Sequence, residues 1–480
     1  GVAFALPTIR SKRYFNQMLP ALLKVCISMP DPDLTINNFE KFVDAGRVRE
    51  SIYSVLSGNE IAIGNLCHLF GMSQYLSDIL IHQPELISSD FAVENIYQKK
   101  TKDGLREELS SILKSADSYE KSLDELCKFK RGEELRIGLR DILGIAELPQ
   151  VMSELSGLAD IYVEFSLKLV EDELIRRYGT PMKNGNKESR FAIVGLGKLG
   201  GEELNFGSDL DIIFVYSDDG ETTGDKISNQ LFFSKLCEKL IYAISGMTRF
   251  GFAYRIDTRL RPDGEKGVLA MPLNGYGSYY HKRGEIWERQ ALIKARFIAG
   301  DEDAGGRLID IIHHFVYNTP FETSAAGEID RMRKRMEYER VRAGESQRDI
   351  KFGKGGIADI EFIVQFLQLK YGGKFKELRG TGSLETLKLL HKKKFISEEN
   401  YHVLLDGYIF LRKIESRIRT DYDRSVDVIP ELEGELILLA KKLGYSDNGG
   451  SAVEEFYKDL ESCTENVREI YNMVFGNTDV

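Results

Sequence analysis

Two aspartates, Asp209 and Asp211, sit two positions apart at the head of the apolar run Leu210, Ile212, Ile213, Phe214, Val215 and Tyr216. On a strand both carboxylates project from one face, while Leu210, Ile212, Phe214 and Tyr216 point to the other. Like charges so placed repel. A solvent-facing strand end tolerates them, and a hard divalent cation such as magnesium neutralises them and makes the pair useful. The later stretch Tyr254-Arg255-Ile256-Asp257-Thr258-Arg259-Leu260-Arg261 repeats the alternation. Arg255, Asp257 and Arg259 share one face with Arg261 following in register, and Tyr254, Ile256 and Leu260 take the other. Either strand alone fits a solvated charged surface. Together, a third carboxylate among arginines beside the Asp pair fits metal-assisted phosphoryl chemistry, in which carboxylates hold the metal and arginines neutralise phosphate charge.

These residues need elements that bring them together. A helix with the apolar face Leu158, Ile161, Tyr162, Phe165 and Leu169 is followed by a strand at Phe191 to Val194, a glycine turn, and a second strand at Asp209 to Tyr216. A long helix carrying Ile227, Leu231, Leu236, Leu240 and Ile244 then leads to a third strand at Tyr254 to Leu260. The glycine turn poses a problem, because Gly195-Leu196-Gly197-Lys198-Leu199-Gly200 fits the dinucleotide fingerprint G-x-G-x-x-G. A parallel crossover needs a dozen or more residues before the next strand. Only residues 201–208 intervene, and they contain the turn signature Asn205-Phe206-Gly207-Ser208. A short hairpin-like connection is the better reading. A P-loop fails too, since Leu199 stands where Ser or Thr should hold magnesium.

The rest of the chain sets the frame. From Ser11 to about Leu143, and again from about Glu328 to Val474, apolar residues recur at helical spacing, so two helical regions flank the mixed α/β middle. The only obvious break is Asn184-Gly185-Asn186-Lys187. The 480 residues carry 65 Lys and Arg against 75 Asp and Glu, a net charge of −10, which argues against broad adhesion to nucleic acid or anionic membrane. No apolar run approaches the roughly 20 residues that cross a bilayer. Five scattered cysteines without a C-x-x-C pair suit buried thiols in a reducing cytoplasm. Seven histidines with no H-x-x-x-H spacing give a zinc site no support.

The stretch LGKLGGEELNFGSDLDIIF resembles the Gly-Ser…Asp-x-Asp signature of polymerase-β-like nucleotidyltransferases. More narrowly, KFKRGEELRIGLRDILGIAEL, FAIVGLGKLGGEELNFGSDLDIIFVY, the long stretch from Tyr254 to Asp301, and DIKFGKGGIADIEFIVQFLQLKYGG resemble the glutamate-ammonia ligase (glutamine synthetase) adenylyltransferases. The likeness runs from about Cys127 to Gly373. It implies an α+β fold: a nucleotidyltransferase core with a mixed sheet at 146–315, between an N-terminal helical domain at 1–145 and a C-terminal helical bundle at 316–480. It also implies an activity, the magnesium-dependent transfer of AMP from ATP to a tyrosine of glutamine synthetase. Members of the family hold two such units, one adding AMP and one removing it by phosphorolysis. One Gly-Ser-Asp-x-Asp copy and no initiator methionine read as half of such a protein. The letters of Asp349 to Phe362 resemble the transferring, C-terminal unit.

The resemblance also implies roles. Asp209, Asp211 and Asp257 become the catalytic acids and ligands of two magnesium ions, with Asp257 the expected general base. Gly207 and Ser208 would cradle phosphate. Arg259, Arg261, Lys294 and Arg296 would neutralise it, and Gly197 and Lys198 would line the nucleotide pocket. Lys294 and Arg296 fall in the helix-like IWERQALIKARFIAGD, where Glu288 reads as part of a solvated charged face. Glutamine synthetase is the implied protein substrate, with a PII-type regulatory protein and glutamine as implied effectors. Phosphorolytic removal of AMP is the alternative activity, and a catalytically silent docking module the alternative class.

Overall fold

The computed structural model describes residues 9–45, 49–89, 96–183, 187–321, 323–340, 348–422, 426–447 and 450–476. The expected break at Asn184 to Asn186 lies outside them. Helices dominate, and two sheets occupy the middle of the chain. In chain order the strands are β1 (Pro181–Lys183), β2 (Lys187–Glu188), β3 (Phe191–Gly195), β4 (Leu210–Tyr216), β5 (Glu221–Thr222), β6 (Ile256–Asp257), β7 (Ala270–Pro272) and β8 (Arg296–Gly300). β1 pairs antiparallel with β2 and β5 in a small sheet.

The main sheet runs β6-β4-β3-β8, with β7 also on β4, and is mixed as expected. β3 and β4 form an antiparallel pair from Phe191↔Tyr216 to Gly195↔Ile212. This pairing excludes the parallel crossover that a dinucleotide fold requires. On its other edge β4 pairs parallel, first with β6 through Leu210↔Ile256 and Asp211↔Asp257, then with β7 through Phe214↔Ala270. The third strand is shorter than the alternation over Tyr254 to Leu260 predicts. Only Ile256 and Asp257 join the ladder, because the chain turns immediately afterwards with Arg261 N donating to Thr258 O at 3.3 Å.

Alternation along the central strands divides the interior in two. Phe191, Ile193, Leu210, Ile212, Phe214 and Tyr216 enter one core together with Phe232, Phe233 and Leu236 of the helix Asn229–Ser245. Phe191 stacks on Phe214 and Phe233 there, with ring centroids 5.8 and 5.5 Å apart. That core continues through Leu158, Ile161 and Tyr162 of the helix Leu148–Tyr178 into the N-terminal helices. Ala192, Val194, Ile213 and Val215 face the second core, which they share with Leu308 and Ile312 of the helix Glu302–His313 and with the C-terminal helices. The first core therefore extends across position 145 and the second across position 315.

Helix ends follow local chemistry. Ser118 caps the helix Tyr119–Ile142 by accepting from Lys121 N, and Ser228 caps Asn229–Ser245 by accepting from Leu231 N. Among the described residues no helix is long and apolar enough to cross a membrane. Cys26, Cys67, Cys127 and Cys237 are buried free thiols.

Candidate active site

The turn after β3 is built around an acid. Leu196 N donates to Asp211 O at 2.8 Å, and the one-turn helix Gly197–Gly200 follows. Gly197 has φ +52°, and a β-carbon there would stand 2.2 Å from Asp211 Oδ2. Asp209 lies exposed just before β4, and Asp211 is half-buried two residues on. Asp257 is the register partner of Asp211 across the parallel ladder. The sequence-predicted acids thus meet at the common end of β4 and β6.

Their electrostatics differ. Burial, then the charge of Asp257, pushes the Asp211 carboxyl up to about 6; Lys351 and Lys198 work against the rise, and Asp209 adds to it. The Asp257 carboxyl is held below the usual range by hydrogen bonds from Arg259, whose Nε lies 3.0 and 2.9 Å from the two carboxylate oxygens. That makes Asp257 a weaker base than its expected role requires. With Asp257 turned onto Arg259, no three His, Cys, Asp or Glu side chains among the described residues converge to metal-holding distance. The donor set still fits magnesium: it is all carboxylate oxygen, and the repulsion from Asp257, second to burial in raising the Asp211 carboxyl, is one that a divalent cation relieves.

The Gly207-Ser208 turn is clamped from afar. Gly207 has φ +60°. Ser208 Oγ accepts from Asn205 N at 3.1 Å and from Arg419 Nη1 at 3.1 Å. Arg419 belongs to the helix Glu398–Tyr422, along with Arg412 and Glu415. Glu415 is 0% exposed and gathers Lys198 at 2.5 Å, Arg419 at 2.9 Å, Asn205 Nδ2 at 3.1 Å and the Arg412 guanidinium. Arg412 also donates to Glu203 O. Arg412, Arg419 and Lys198 hold the Glu415 carboxyl ionised despite its burial. One carboxylate serves three cations, and burial together with Arg419 pushes the Lys198 ammonium down to about 7. Sequence reasoning missed Glu415, Arg412 and Arg419. Their helix reads as an ordinary amphipathic pattern.

Three of the expected phosphate cations, Arg261, Lys294 and Arg296, are directed elsewhere, as is Lys198, expected to line the nucleotide pocket. Lys198 points to Glu415. Arg261 is buried and donates to the carbonyls of Thr258 at 2.8 Å, Gly267 at 3.1 Å and Glu265 at 3.1 Å, knitting the loop after β6. Lys294 is buried between Glu203 and Glu361 at 2.8 and 3.1 Å. Arg296 binds both oxygens of Asp160 and the carbonyls of Leu199 and Gly200. The helix expected across this stretch ends at Leu292, and Arg296 opens β8 because Arg296 to Gly300 complete the sheet beside β3. Glu288 is not on a solvated face: it is buried, accepting from Glu285 N at 2.8 Å in a capping box and from Tyr279 Oη at 2.9 Å. Arg259 stays exposed on Asp257. Lys351, not singled out in the sequence, is the added cation whose charge is felt at Asp211.

Sequence comparison bears on the same segments. The family model described as glutamate-ammonia ligase adenylyltransferase matches residues 63–309, and one described as GlnD PII-uridylyltransferase matches residues 326–475. The chain is similar to bifunctional glutamine synthetase adenylyltransferase/adenylyl-removing enzymes. It is 34% identical to that of Psychromonas ingrahamii over 416 residues, 86% of this chain and 43% of the relative. It is 34% identical to that of Pseudomonas putida over 378 residues, 78% and 39% of the two chains. To that of Thioalkalivibrio sulfidiphilus it is 30% identical over 452 residues, 93% and 46%. The chain spans less than half the length of these relatives. With the hairpin and the paired acids inside the matched residues 63–309, the chain belongs to the glutamate-ammonia ligase adenylyltransferase family.

Proposed function

We propose that this chain transfers AMP from ATP to a tyrosine of glutamine synthetase, with magnesium held by Asp209, Asp211 and Asp257. The observation that carries the reading is the placement of Asp211 against Asp257 in register, with Asp209 and the Gly207-Ser208 turn at the same strand end. Bound magnesium would supply charge neutralisation to the triphosphate. The chain itself positions: Arg419 fixes the Ser208 hydroxyl, Gly207 turns the backbone through a left-handed conformation, and Gly197 lets the preceding turn close on Asp211. The nucleophile is the partner's tyrosine hydroxyl, attacking the α-phosphorus in line as pyrophosphate leaves. The intact acids speak against a silent docking module.

Phosphorolytic removal is the second reading, because the relatives are named for both activities. Transfer is favoured by the resemblance of Asp349 to Phe362 to the transferring unit. Asp359 and Glu361 in that stretch sit in ion pairs with Arg333 and with Lys294, so neither adds a cation for free phosphate. The match of residues 326–475 to a PII-uridylyltransferase model supports the C-terminal helices as the region that meets a PII-type protein, with glutamine as a second effector. Buried free thiols support a cytoplasmic setting.

The test uses α-labelled ATP, magnesium and glutamine synthetase in its unmodified and adenylylated forms. We expect label on the unmodified synthetase and no ADP release from the adenylylated form when phosphate is added. Phosphate-dependent ADP release without label transfer reverses the direction. Neither reaction, with the synthetase competent, removes the reading altogether.

A further inference from the structure

The cations around the three aspartates differ in how firmly they are held. Lys198, Lys294, Arg261 and Arg296 are each committed to buried carboxylates or to backbone carbonyls at 3.2 Å or less. A cation so placed cannot turn to an arriving phosphate without stranding a buried partner. Lys351 is held differently. Its backbone is fixed, with N donating to Asp349 Oδ1 at 2.9 Å and O accepting from Ala358 N at 2.9 Å. Ile350 N, just before it, donates to Asp427 O at 3.0 Å. Its ammonium is held more weakly: Asp427 Oδ2 lies 3.5 Å from Nζ, beyond good hydrogen-bond length, the Phe352 ring centroid lies 4.9 Å away, and the side chain is 31% exposed.

The position of Lys351 matters as much as its freedom. The other oxygen of Asp427 takes Arg419 Nη2 at 2.6 Å, and Arg419 Nη1 reaches Ser208 Oγ at 3.1 Å. Lys351 therefore stands two ion pairs and one hydrogen bond from the phosphate-cradle turn. Its charge is also felt at Asp211, where it opposes the effect of Asp257 and Asp209.

We infer that Lys351 meets the β- and γ-phosphates of the nucleotide, carried to the aspartates by the C-terminal helical region. The inference rests on the nucleotidyl-transfer reading above. As the tyrosine oxygen bonds to the α-phosphorus, the bond to the bridging oxygen breaks and pyrophosphate takes the electron pair, while the tyrosine proton passes to a site carboxylate. The charge that builds on the leaving group needs a mobile point charge, which a lysine on a rigid backbone supplies. AMP lacks those phosphates and should not notice its loss.

Calorimetric titration with ATP, ADP and AMP in magnesium, alongside melting temperatures, tests this on Lys351→Ala, Lys351→Arg and the control Lys354→Ala. Lys351→Ala should bind ATP and ADP about tenfold more weakly or worse, the size of a lost charge-assisted hydrogen bond. Its AMP affinity and melting temperature should stay near wild type. Lys351→Arg should recover most of the loss, and Lys354→Ala should match wild type. Unchanged ATP affinity in Lys351→Ala, with wild type binding ATP, overturns the role of Lys351 and leaves the proposed function standing. An equal loss for all three nucleotides with a lowered melting temperature overturns it too, in favour of a structural role. Wild type that binds no nucleotide overturns the nucleotidyl-transfer reading and this one with it.

Discussion

Gly197 lies against the carboxylate of Asp211 with no room for a side chain: a β-carbon there would meet Oδ2 at 2.2 Å. The backbone is also left-handed, at φ +52°. The spacing that imitates a dinucleotide fingerprint thus serves a turn folded onto an acid. Gly197→Ala should cost roughly 1–3 kcal/mol in stability, from the left-handed backbone and the contact together. It should also lower AMP transfer at temperatures where the variant is folded, because Asp211 must move. Gly277→Ala, in the helix Leu273–Arg283 with nothing within 4 Å, should be neutral or stabilising by up to about 1 kcal/mol. Urea unfolding and label transfer on the pair distinguish the two effects, and a neutral Gly197→Ala would contradict the geometry.

Asp209→Asn combined with Asp211→Asn should abolish transfer at nearly constant shape. Without metal its melting temperature should equal or exceed that of wild type, since repulsion from Asp257 falls. Magnesium should raise the melting temperature of wild type and leave that of the variant unchanged. Retained activity, or an equal magnesium effect on both, would put the metal elsewhere.

Glu415→Gln should be severely destabilising. It leaves Lys198 and Arg412 in a buried site without their anion, and Arg419 with Asp427 alone. Removing one member of such a set costs about 3–5 kcal/mol. The urea midpoint is the readout, and a loss below about 1 kcal/mol would mean that water reaches the cluster.

Much of this site was legible in the sequence, and the failures share a cause. The Asp209, Asp211 and Asp257 set could be read because period-two alternation and a short connection are local properties. The hairpin followed from counting residues 201–208. The cations could not be read, because a basic residue in a motif looks the same whether it faces a ligand or a buried acid. Lys294 is settled by Glu203, 91 positions earlier, and Arg296 by Asp160, 136 earlier. Arg261 shows a second limit: alternation kept it in register with Asp257, yet the strand stops at Asp257 and the side chain turns into its own loop. The two cores escaped notice for a related reason, since a strand buried on both faces reads as one apolar run.

NADH and FAD should show no saturable binding, because β3 and β4 are antiparallel and no crossover helix presents its N-terminus to a pyrophosphate. ATP with magnesium should stabilise the protein by about 2.7 kcal/mol at a hundredfold excess over its dissociation constant. Thermal shifts with each compound decide the matter. Protection by NADH alone would reopen the dinucleotide reading.

The clamp on the turn also constrains ancestry. Glu203, Asn205 and Ser208 on one segment and Arg412, Glu415 and Arg419 on another are bound partners more than 200 positions apart. A hybrid that joined the sheet of one relative to the C-terminal helices of another would pair a turn with a helix selected to hold a different one. Recombination between the two segments would part Glu415 from Lys198 and Asn205, and Arg419 from Ser208. The helices and the sheet must therefore be inherited as a single unit, and substitutions on one side should be tolerated only with compensating changes on the other.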